Sequence, residues 1–153
     1  MTWQAQIPSE IHSPAGTELV LRAHALGVQI YVCQEGADGK LAWALKAPEA
    51  TLYDEQGAVI GQHYAGPAWK HNDGSEITAK VAARVNAPDA TAIPWLLLRV
   101  TGHSGSGALS RVTSIVRVQT VGGQPPAGGC DAAARGTEAR SEYEAEYYFY
   151  AAG

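Results

Sequence analysis

His63-Tyr64-Ala65-Gly66-Pro67-Ala68-Trp69-Lys70-His71-Asn72-Asp73-Gly74-Ser75 holds two of the chain's five histidines, two large aromatics and an Asp-Gly turn signal. Ahead of it, Ala58-Val59-Ile60-Gly61-Gln62-His63 has the composition of a short strand. Behind it, Ile77, Ala79, Val81, Ala83 and Val85 alternate with Thr78, Lys80, Ala82 and Arg84, the period of a half-buried strand. The same apolar residues also fit helical i, i+4 spacing, but the Asp73-Gly74 turn and the β-branched content favour strand. The stretch is therefore a structured loop or hairpin at one end of a β fold, and the best place on the chain for a site.

Working outward, Leu19 to His24 and Val28 to Cys33 read as two strands broken at Gly27. Leu41 to Leu45 is another, ended by Pro48, and Ala50 to Tyr53 faces Ala58 to His63 across Asp54-Glu55-Gln56-Gly57. Trp95 to Thr101 reads as a buried strand, and Trp95 to Leu98 is apolar on both faces, as in a strand covered on both sides. Val112, Ser114, Val116 and Val118 oppose Thr113, Ile115, Arg117 and Gln119. In the last strand, Tyr143, Ala145, Tyr147 and Phe149 share one face, and Glu142, Glu144, Glu146, Tyr148 and Tyr150 the other. The expectation is one all-β domain over residues 1–153, an antiparallel sandwich or barrel of nine or ten short strands. Residues 1–16 form an extended N-terminal lead-in, and 122–140 a Gly/Pro-rich loop carrying Cys130.

Composition narrows the functional classes. A net charge of -4 argues against a nucleic-acid partner, which needs a basic face. The longest apolar run, Ile93 to Leu98, is far shorter than the roughly 18 residues of a membrane-spanning helix. Seventeen glycines and eight prolines suit a turn-rich β domain. The two cysteines, Cys33 and Cys130, would most simply pair in a secreted chain; two buried thiols are the alternative. Met1-Thr2-Trp3-Gln4 has neither the basic nor the apolar part of a signal peptide. That fits a mature form given a start Met, or a cytosolic chain.

In this order the motifs carry a resemblance. Gly27 to Cys33, Ala47 to Ala50, His63 to Trp69, Asp73 to Ser75, Ile93 to Leu98, Thr120 to Gly123, Cys130 and Tyr143 to Tyr150 together resemble a family of secreted bacterial and fungal proteins, domain of unknown function 3455. The likeness covers nearly the whole chain from about residue 7. It implies export to a secreted or periplasmic location, removal of a signal sequence and a Cys33–Cys130 bridge. It carries no catalytic residues. The malate dehydrogenase label on some fungal members finds no support, since the chain has no Gly-x-Gly-x-x-Gly between a strand and a helix.

Several constellations bear on chemistry. His63 and His71, with His103 as a further candidate and with Asp73, supply imidazole and carboxylate suited to copper or zinc. A tight hairpin about Gly66-Pro67 would pair Tyr64 with Trp69 and turn the two histidines to opposite sides of the ribbon. Pro67 in that turn needs a cis bond or a wider loop, and a wider loop restores the metal option. Asp73-Gly74 reads first as a hairpin turn. Gly102-His103-Ser104-Gly105-Ser106 lacks the final Gly and the helix of a nucleophile elbow. Glu144 and Glu146, exposed on one strand face, lack the split environments of a glycosidase pair.

The aromatics exceed what one small core easily buries with their polar ends satisfied. The leading expectation is therefore a non-catalytic binding module, with His63, Tyr64, Trp69, His71 and Trp95 around a carbohydrate or an aromatic small molecule. A copper or zinc protein or oxidoreductase using His63 and His71, and a structural envelope protein, are the alternatives. The Tyr-rich C-terminal strand, placed at a sheet edge, would serve a homodimer.

Overall fold

The computed structural model describes residues 7–153. Among them are eight strands: β1 (Thr17–Glu35), β2 (Leu41–Tyr53), β3 (Val59–Tyr64), β4 (Ala68–His71), β5 (Glu76–Val85), β6 (Trp95–Ser104), β7 (Val112–Gly122) and β8 (Glu138–Ala152). Each pairs antiparallel with the next, and β8 returns to β1, so the sheet closes into an up-and-down barrel. Closure leaves no terminal strand in the sheet order.

The expected count of nine or ten falls to eight because two apparent breaks are not breaks. Gly27 lies within β1. A Cβ there would meet the Glu49 carbonyl oxygen at 2.1 Å, so the glycine lets β1 and β2 cross in close contact while the strand runs on. Pro48 lies within β2, whose residues before Ala50 pair with β1 alone; proline is tolerated at such a one-sided edge.

Small and large side chains alternate around the barrel interior. Ala23 and Ala25 of β1 and Ala50 of β2 leave room for Trp69, Tyr143, Tyr147 and Phe149, all buried in one cluster with Ile77, Leu96, Leu98 and Ile115. A second cluster lies on the outer face of β6, β7 and β8. There Ile7 and Ile11, the latter in a short 3-10 turn at Ser9–Ile11, cover Trp95, Val116, Val118, Tyr148 and Tyr150. From Ile7 on, the N-terminal lead-in is thus a strap, which explains a β6 apolar on both faces; residues 1–6 of the expected lead-in lie outside the described residues.

Bulges move residues between these layers. The register of β5 against β6 shifts between Val81 and Ala83, so Ala83 and Val85 join the outer cluster, whereas Ile77 and Ala79 belong to the inner one. The expected single face from Ile77 to Val85 is divided there. In β7 a shift between Val112 and Ser114 puts Val112, with Ile115, in the inner cluster and Val116 and Val118 in the outer.

The loop between β7 and β8 is held by a Cys33–Cys130 disulfide, Cα–Cα 5.3 Å, closing 97 residues. β8 pairs with β1 on one side and β7 on the other. An edge-to-edge homodimer through the Tyr-rich strand is therefore corrected: both of its edges are occupied. No helix among the described residues is long and apolar enough to cross a membrane.

Candidate functional site: a side-opening cavity in the barrel wall

β3 and β4 are short, and β2 before Ala50 and β5 beyond Thr78 run past them. The wall between β2 and β5 is therefore notched above the β3–β4 turn. A cavity of about 290 Å³ opens here, rimmed by Leu45 and Pro48 of β2, Gly66 and Pro67 of the turn, and Val81 of β5. Leu45 and Val81 are among the few large apolar side chains left exposed, at 56% and 43%.

Inside, His63, Trp69, Tyr147, Gln29 and Arg117 line the cavity. All five are nine-tenths or more buried. His63 opposes Trp69 in the β3–β4 ladder, because the turn is the wider three-residue kind, with Tyr64 opposite Ala68 and a cis Gly66–Pro67 bond. The two rings stack, and Tyr147 meets both edge-on. His63 Nδ1–H donates to the Ala68 carbonyl at 2.8 Å, which leaves the Nε2 lone pair as the ring's acceptor. Burial, and more weakly the Arg117 charge, hold this imidazole down to about 3, while the Ala68 hydrogen bond works the other way. It is neutral at physiological pH.

Arg117 donates from Nε and Nη2 to the Pro94 carbonyl at 3.1 and 2.7 Å. Its charge opposes the upward push that burial gives the phenols of Tyr31 and Tyr143. The Gln29 carboxamide oxygen and the Trp69 indole nitrogen are both buried without a hydrogen-bond partner among the described residues. Unpaired polar atoms of this kind are rare in closed cores.

The other residues expected at the site lie elsewhere. Tyr64 hydrogen-bonds Glu76, and that bond pushes its phenol up to about 12. Trp95 is under the N-terminal strap. His71 pairs with the Asp73 carboxylate at 3.2 Å. Asp73 also accepts from Ser75 and from the Ala108 backbone of the β6–β7 loop, bonds that hold its carboxyl down to about 2. Asp73 is thus the tie between two loops, and Gly74 beside it has a φ of 97°. Among the described residues no group of three or more His, Cys, Asp or Glu could hold a metal ion. The proposed set of His63, His71 and Asp73 is divided: His63 lines the cavity, and the other two are occupied with each other.

Gln29, Arg117 and Tyr147 were not among the residues expected at a site. The available signal was a polar residue set among apolar ones, Gln29 between Val28 and Ile30, and Arg117 between Val116 and Val118.

The fold and cavity together define a class: a closed eight-stranded barrel with a polar, aromatic-walled chamber reached through its side. Residues 14–151 match the model of a family described as "Protein of unknown function (DUF3455)", and the chain belongs to that family. No curated protein and no solved structure matches it.

Proposed function

We propose that this domain is an exported small-molecule binding module, and that its ligand enters the barrel through the notch to lie against Trp69. One observation carries the reading: an open cavity of about 290 Å³ is walled by a stacked Trp-His pair, and two of its lining residues, Gln29 and Trp69, each carry a buried polar atom with no partner among the described residues. Known small-molecule sites share this mix of apolar walls and a few convergent polar groups, in volumes from roughly 300 Å³ upward. An aromatic ring suits such walls better than a sugar, whose many hydroxyls would outnumber the polar groups present. The disulfide supports export, since such bridges persist in oxidising compartments.

The reading is of binding rather than catalysis. No Ser, Thr, Cys, Asp or Glu lines the cavity among the described residues, and the Tyr147 phenol and the Lys46 ammonium that do line it are held by Tyr143 and Glu138. The test is a titration of isotope-labelled protein with phenol, benzoate and glucose, following the Trp69 indole N–H. A saturable shift with a ring compound supports the module. A resonance unmoved by all three removes it.

A further inference from the structure

We infer that the ligand is an aromatic carboxylate whose carboxylate sits on the free edge of Arg117 while its ring lies against Trp69; this rests on the binding-module reading above. Arg117 is 9% exposed, yet no carboxylate lies within ion-pair distance of it among the described residues. Residues 1–6 contain no Asp or Glu that could serve. A buried cation without a counter-charge carries a desolvation cost, which an anionic ligand would offset.

The hydrogen bonds specify how. Nε and Nη2 are engaged by one carbonyl, which fixes the plane of the guanidinium. Nη1 and the second hydrogen of Nη2 remain, two parallel donors at the tip of the guanidinium, spaced to take a carboxylate end-on. The rest of the lining agrees in sign. It contains Lys46, itself bound to Glu138 at the rim, and no acidic residue. A phosphate fits less well, since a single guanidinium edge would leave its second charge unmatched.

The experiment is calorimetric titration of the intact, oxidised protein with benzoate, 4-hydroxybenzoate and the uncharged benzamide. The expected result is that both acids bind at least about tenfold more tightly than benzamide. Arg117→Gln should erase that preference, and Arg117→Lys should retain only part of it. Thermal melts accompany each variant; if Arg117→Gln does not fold, the acid-to-amide ratio of the parent and of Arg117→Lys decides. Equal binding of benzoate and benzamide overturns the carboxylate assignment and leaves the binding module standing. A preference that survives in folded Arg117→Gln also overturns it. Failure of all three compounds to bind overturns the carboxylate assignment, and overturns the binding module too if phenol and glucose also leave the Trp69 indole resonance unmoved.

Discussion

His63 lies flat on Trp69, with ring centroids 4.2 Å apart and planes 15° from parallel. The contact joins two neighbouring strands, and Tyr147 of β8 closes on the pair with its edge, 5.3 Å from the imidazole and 5.7 Å from the indole. The three rings therefore bridge opposite parts of the barrel. They form the floor of the cavity and part of the core at once, so stability and binding are linked at these residues.

The first consequence is a pH dependence. His63 is buried, and its folded-state value of about 3 lies below the ordinary 6.5. The unfolded chain then binds more protons than the folded one between those two values. Stability from this group is complete above pH 6.5 and is lost as the pH falls toward 3. By about pH 4.5 the loss should reach about 2–3 kcal/mol. Urea unfolding of the parent and of His63→Gln at about pH 7.5 and 4.5 isolates it, because carboxylates titrate alike in both proteins. The variant should show the shallower pH slope; equal slopes would contradict a neutral buried imidazole.

Trp69 is 1% exposed, and its indole nitrogen has no partner among the described residues. Replacement by Phe removes an unsatisfied donor and keeps a ring on His63, so the cost should stay within about 1–2 kcal/mol. Replacement by Ala removes the floor and should cost about 3–5 kcal/mol. Denaturant midpoints of the two variants check the order. A Trp69→Ala protein within about 1 kcal/mol of the parent would show that the ring contributes nothing to the core.

Much of this fold is legible in local pattern. Alternation from Tyr143 to Tyr150 sorts the two faces of β8 correctly, and an apolar run at Trp95–Leu98 marks the strand that the strap covers. What is not legible depends on distant partners. Gly27 and Pro48 look like strand ends unless the opposing strand is known. The bulges in β5 and β7 reverse a face at positions set by barrel register, which no local window contains. The site divides in the same way. His63 and Trp69 stand in one notable stretch, whereas Gln29, Arg117 and Tyr147 reach it only because the barrel closes.

Closure is secured at one further place. The Cys33–Cys130 bridge spans 97 residues, and on the loop-entropy model that contributes about 4–5 kcal/mol as an upper figure. Reduction should lower the melting temperature by about ten degrees or more. Mass spectrometry of unreduced, alkylated protein should find no free thiol. A melt unchanged by reductant would mean that the barrel alone holds the β7–β8 loop.

The notch itself can be tested by closing it. Val81 is 43% exposed on the rim of the cavity, so a larger side chain there has solvent to occupy and little packing to disturb. Val81→Trp should therefore keep the parent melting temperature within a few degrees, since surface changes usually stay within about 0.5 kcal/mol. It should also block the path between Leu45 and Pro67, and abolish the Trp69 indole shift seen with benzoate or phenol. Val59→Trp is the matched control, because Val59 is 47% exposed and does not border the cavity. If Val81→Trp binds as the parent does while remaining folded, ligand reaches Trp69 by another route, and the side opening between β2 and β5 is not its entrance.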